Sequence, residues 1–173
     1  MNGIFITTEL DGALATRIRA VQERFDPKLA RELPPHVTIV GSSGAGPISP
    51  DSTVEALRAA ILPVTEATPA LTLTFRPPMR FIGREIVVLP LDPHGTLRAL
   101  HESLKSSGVR YATARWPYTP HCTLNYYATL TPDTLRALLS VREQEPWVMR
   151  TLRVYHSRDG VPTKLLFDAP LGG

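Results

Sequence analysis

A chain of 173 residues with 43% apolar residues is long enough to bury one substantial core. No apolar run approaches the roughly 18 residues of a membrane span, and a single cysteine, Cys122, excludes an internal disulfide. The net charge of +3 permits an anionic ligand without demanding one.

The opening Met1-Asn2-Gly3-Ile4-Phe5-Ile6 lacks the basic region and long apolar stretch of a signal peptide, so a cytoplasmic location is expected. Residues 4–10 read as a strand. Residues 11–25 read as an amphipathic helix, with Leu14, Ile18, Val21 and Phe25 at helical spacing. Pro34-Pro35 ends the connection and leads a strand over 36–40. The glycine-rich segment 41–50 reads as either a mobile flap or a solvated connection. A helix is expected over 52–62, stopped by Pro63, then a strand over 71–75. Phe81 and residues 85–91 form a hairpin-like unit with Gly83 near its turn. A helix follows over 93–107, stopped by Gly108. Residues 118–127 carry another strand, Thr131-Pro132-Asp133 opens a helix to about Arg142, and 147–156 with 162–168 close the chain as a hairpin. His94, His101 and His156 read as surface residues, and Cys122 as a small buried one.

One short pattern occurs twice. Pro35-His36-Val37-Thr38-Ile39 is matched by Pro120-His121-Cys122-Thr123-Leu124. Strand residues alternate between faces, so His36 and Thr38 share one face while Val37 and Ile39 share the other. The same holds for His121 and Thr123. The apolar faces can pack on helices, which leaves each His/Thr face for something polar. The order strand, helix, His strand, helix also recurs, over 4–62 and again over 85–142. The expected fold is therefore α+β, a bilobal duplicated unit with a pseudo-twofold. Two mainly antiparallel sheets would carry helices on their outer faces and flank a central groove. The chain is expected to be a single domain over 1–173, made of two interleaved lobes with repeat halves near 1–75 and 80–173.

These residues resemble the 2H phosphoesterase superfamily, and within it the 2′-5′ RNA ligase-like proteins, also described as RNA 2′,3′-cyclic phosphodiesterases. The resemblance spans nearly the whole chain. It covers the opening strand and helix, Leu33-Pro34-Pro35-His36-Val37-Thr38-Ile39, Ile86-Val87-Val88-Leu89, Thr119-Pro120-His121-Cys122-Thr123-Leu124 and the terminal hairpin from Trp147. It implies metal-independent chemistry on 2′-linked or 2′,3′-cyclic phosphates, with His36 and His121 as the catalytic pair and Thr38 and Thr123 on the phosphate oxygens. Members of this family often carry an arginine soon after a motif; here Val40-Gly41 and Asn125-Tyr126 stand in those places.

Histidine titrates near pH 6.5, so one imidazole can accept a proton from attacking water while the other protonates the leaving ribose oxygen. Threonine hydroxyls would steady the phosphoryl oxygens. No cofactor is implied. A zinc site is a competing reading of two histidines, but no carboxylate or thiolate lies at ligand spacing near both motifs. Two buried structural histidines are another. Arg115 precedes the second motif and could reach phosphate, and Tyr118 or Tyr126 could stack on a base. The expected partners are RNA ends or small cyclic nucleotides, with no membrane, no obligatory protein partner and a monomer as the default. A binding module with little turnover on the same fold is the second functional reading.

Overall fold

The computed structural model describes residues 2–172; Met1 and Gly173, the two ends of the expected unit, lie outside the described residues. β1 (Gly3–Glu9) buries Ile4 and Ile6 and leads into α1 (Gly12–Phe25), which turns Leu14, Ile18 and Gln22 inward. A short helix that periodicity does not reveal, α2 (Pro27–Glu32), follows at once. Asp26 caps it, accepting from Leu29 N at 3.1 Å, with proline in the first turn. Six residues are too few to display a helical stripe.

β2 (His36–Val40) begins directly after Pro34-Pro35. α3 (Val54–Glu66) does not stop at Pro63, as the sequence suggests, but runs through it. Thr65 Oγ1 donates to Leu62 O at 3.1 Å, and buried Ile61 and Thr65 hold the last turn on the core despite the bond that proline removes. β3 (Leu71–Leu73), β4 (Met79–Arg80) and β5 (Val87–Pro90) precede α4 (Gly95–Lys105). The rest is β6 (His121–Asn125), α5 (Pro132–Leu139), β7 (Trp147–Met149), β8 (Thr151–Arg158) and β9 (Val161–Pro170). The expected strand over 147–156 is broken at Arg150, because β7 pairs with β3 while β8 pairs with β1 and β9.

Among the described residues, seven strands form one antiparallel sheet in the order β4-β5-β6-β2-β1-β8-β9, and β3 and β7 form a second, two-stranded one. The fold is α+β with mainly antiparallel sheets, as the sequence indicates. The strands of the two sequence halves do not build separate main sheets. They meet edge to edge where β2 pairs with β6 through Val37 and Cys122. Each His strand also carries an irregularity at the same place. Thr7 pairs with Thr38 but Ile6 with Val40; Val88 pairs with Thr123 but Val87 with Asn125. Both ladders thus skip the residue after the motif threonine, which turns Ile39 with Val40, and Leu124 with Asn125, into the interior.

One core cluster joins Ile4, Ile6, Val37, Ile39, Cys122, Leu124, Leu152 and Val154 of the main sheet to Ile18, Leu57, Ile61, Leu97, Leu100, Leu104 and Leu138 of the helices. Residues 41–50 are neither flap nor solvated loop. Ile48 exchanges backbone bonds with Ile4 at 2.9 and 3.0 Å, Ala112 N donates to Pro47 O, Gly44 N donates to Trp116 O, and Ala45 and Ile48 are buried. His101 is also buried rather than exposed. Its Nδ1 donates to Ile39 O at 2.7 Å and its ring stacks on Tyr118. Gly44 makes this possible: its φ is +78°, and a Cβ there would lie 2.3 Å from His101 Nε2. No helix among the described residues is long and apolar enough to cross a membrane.

Candidate active site

The two His strands lie side by side in the middle of the sheet. Val37 and Cys122 are directly opposed, both fully buried. Antiparallel continuation from that pair sets His36 opposite Thr123 and Thr38 opposite His121. All four project from the face away from Val37 and Cys122, and all four are half-buried where their neighbours are buried. Directly opposed side chains on such a pair stand roughly 4.5–5.5 Å apart at Cβ and diagonal ones about 7–8 Å. The two imidazoles therefore occupy one diagonal of a quadrilateral and the two hydroxyls the other.

Each imidazole is anchored by the same device. His36 Nδ1 donates to Pro34 O at 2.9 Å, and His121 Nδ1 donates to Thr119 O at 2.6 Å, in both cases two residues upstream. A carbonyl only accepts, so the Nδ1 proton is fixed and each Nε2 is left for chemistry. Burial lowers the pKa of His36, partly offset by its Pro34 bond and by the Glu9 carboxylate. Burial also lowers that of His121, partly offset by the Thr119 bond and reinforced by the charge of His36. Each imidazole thus has an accessible neutral form at neutral pH.

The surroundings of the two histidines differ. Glu9 lies opposite His36 on β1, whereas Pro90 lies opposite His121 on β5, and the edge of Phe81 meets the His121 ring at 5.1 Å. Glu9 is itself held by Tyr155, whose hydroxyl donates to Oε1 at 2.5 Å, and by an ion pair with Arg153. Helix α1 supports the second strand from behind, with Gln22 Nε2 donating to Thr123 O at 2.8 Å. Asp26 Oδ2 accepts from Tyr126 N and Tyr127 N, both at 2.7 Å, which fixes the turn after β6. Burial would raise the Asp26 pKa, and the backbone bonds from Tyr127, Tyr126 and Leu29 outweigh it, so the carboxyl sits below its ordinary value.

The weaker candidates from the sequence are placed differently. Tyr118 is buried against His101, with ring centroids 3.8 Å apart, so that face of its ring is occupied. Tyr126 is half exposed and meets Tyr127 edge-on. Arg115 is exposed and ties its backbone N–H to Ser42 O. Cys122 is fully buried, and burial pushes its thiol up to about 12. No group of three or more His, Cys, Asp or Glu among the described residues has metal-site geometry. Sequence reasoning missed Thr7, Glu9, Arg153 and Tyr155. Alternation along the first and eighth strands carries part of that signal, but only the pairing shows that these strands neighbour the His pair.

The profile of the 2′-5′ RNA ligase superfamily matches residues 10–160, a span containing both motifs. The chain belongs to this superfamily. Solved structures share the fold across its full length. TT0787 of Thermus thermophilus superposes with a TM-score of 0.71 at 15% identity, covering 100% of this chain and 99% of that one. E. coli LigT in apo form gives 0.68 at 19% identity, covering 99% and 98%. LigT complexed with 3′-AMP gives 0.65 at 18% identity, covering 99% of each. No curated protein sequence matches significantly. The superfamily is one of 2H phosphoesterases.

Proposed function

We propose that this protein is a metal-independent phosphodiesterase that opens 2′,3′-cyclic phosphates on RNA ends or small nucleotides. The observation that supports it is the diagonal pair of imidazoles, each with Nδ1 tied to a carbonyl and Nε2 free. Water attacks phosphorus and gives its proton to one Nε2. The opposite Nε2 gives a proton to the departing ribose oxygen as its bond to phosphorus breaks, leaving a phosphomonoester. Thr38 and Thr123 donate to the non-bridging oxygens as charge gathers there. Reversal exchanges the two roles, so 2′-5′ ligation or cleavage is compatible with the same site. That LigT has been crystallised with 3′-AMP is in keeping with a nucleotide phosphate as ligand.

The matching bulges in the two His strands support reading the halves as repeats about a pseudo-twofold. The pairing of β8 with β1 supports a single domain of interleaved lobes.

The test is hydrolysis of a 2′,3′-cyclic nucleotide panel in the presence of chelator by the wild type, His36→Ala and His121→Ala. Turnover that resists chelator and falls by at least about a hundredfold in each variant, with unchanged melting, is the expected result. Nucleotide binding with no turnover by the wild type would replace this reading with a binding module.

A further inference from the structure

The register places a row of side chains across the face of the sheet that carries the quartet. Arg153 of β8 is opposite Thr7 of β1, Thr7 is opposite Thr38 of β2, and antiparallel continuation puts His121 of β6 beside Thr38. Arg153 thus stands on the same face of the sheet as the quartet, beyond Thr7 in the row. β8 lies two strands, roughly 10 Å, from β2; an arginine extended towards β2 covers most of that span, and a hydrogen bond of about 3 Å to a phosphate oxygen closes the rest.

Three further observations bear on this row. First, the sequence carries no arginine in the positions just after either motif. At Gly41 none would fit beside the threonine, because a Cβ there would come 2.6 Å from Thr38 Cγ2. Second, Arg153 is over one-third exposed, and its guanidinium is held only by acidic side chains that an anion can replace, Glu9 and, at 3.5 Å, Asp168, with Tyr155 beside them. Third, Thr7 is 7% exposed, yet its Oγ1 has no hydrogen-bond partner. A buried hydroxyl without a partner is disfavoured. The corresponding position in the other half, opposite Thr123, is Val88, which has no polar atom to satisfy.

We propose that Arg153, with Thr7 beside it, is the phosphate-binding arm of this site, and that a bound phosphate takes Arg153 from Glu9. This inference rests on the proposed function and names a binding group for it. In the free protein the Glu9 carboxylate holds the guanidinium. A phosphate seated on Thr38 and Thr123 competes for it with a stronger, bidentate set of acceptors. Glu9, released from Arg153, faces His36 across the strand pair and stabilises that imidazole in its protonated form. The Thr7 hydroxyl then finds in a phosphate oxygen the acceptor that it lacks in the free protein.

The experiment is titration calorimetry of inorganic phosphate with the full chain, alongside KM on a 2′,3′-cyclic nucleotide. Arg153→Met is expected to weaken phosphate binding by about tenfold or more. Glu9→Gln, which removes the competing carboxylate, is expected to strengthen it. A purely structural Arg153–Glu9 pair predicts instead that both variants shift binding in the same direction, and that result overturns the proposal. Thr7→Val copies Val88 and is expected to weaken phosphate binding while raising the melting temperature of the free protein; lowered melting with unaltered binding counts against it. If the wild type binds phosphate and the two charge variants move in opposite directions, but no cyclic phosphate is hydrolysed, the proposed function fails and this inference stands. If the wild type hydrolyses cyclic phosphates and Arg153→Met binds and turns over like the wild type, the inference alone fails. Absence of phosphate binding by the wild type overturns it as well.

Discussion

The two catalytic candidates share a tautomer but not an environment. Both imidazoles have their pKa pushed below 6.5 by burial. A mechanism that needs one protonated and one neutral histidine then has its maximum where the pair holds a single proton. We expect kcat/KM for a cyclic phosphate to describe a bell whose centre lies on the acid side of pH 6.5, and a profile that rises steadily through about pH 8 would contradict this two-histidine scheme. The pairing of His36 with Thr38, and of His121 with Thr123, is legible as a motif because alternation on a strand is a local property. His101 escapes the sequence reading, although the signal is present. It stands four residues after Leu97 and three before Leu104, on the same helical stripe as the residues that α4 buries.

At the level of elements, β2 keeps the bounds expected from its leading proline and alternating residues, whereas β6, His121–Asn125, occupies only the middle of the expected 118–127. Register does not follow from such signals. It arises from pairing with β1 and β5, and the skip after each threonine is visible only in those ladders. Likewise the flank of the site, Glu9, Arg153 and Tyr155, comes together because β8 lies against β1, which no local pattern announces. The junction of α1 and α2 has a role of its own through Asp26. This buried carboxylate takes three backbone N–H groups, one from α2 and two from the turn after β6. Asp26→Ala would leave those donors unpaired in the interior. We expect a loss of about 3 kcal/mol in unfolding free energy, measured by urea denaturation, together with reduced turnover from a displaced β6. A variant as stable as the wild type would show that water replaces the carboxylate.

Across the whole molecule, acid should act in two stages. His36, His101 and His121 have folded pKa values lowered chiefly by burial. Below pH 6.5 the unfolded chain therefore binds more protons than the folded one. Their contribution to stability is complete above pH 6.5 and is lost as the pH falls through the folded values. Asp26, also depressed, contributes above its ordinary carboxyl range and is lost only at lower pH, below about 3.8. Urea midpoints should thus be flat from about pH 8 to 7 and decline from about pH 6.5 downward, well before carboxylates titrate. Midpoints that hold constant to about pH 5 would mean that these imidazoles protonate within the folded state at little cost.

The strand order has a consequence for how the chain is made. β1 leaves the ribosome before the other strands of the sheet, yet its outer neighbour, β8, follows only after all of them but β9. Until β8 emerges, β1 offers an unpaired edge, the kind of surface on which chains aggregate. Contacts between strands about 150 residues apart in sequence also slow folding relative to local ones. The flank that carries Glu9 and Arg153 can therefore pair only once β8 has emerged, well after the two His strands that it borders.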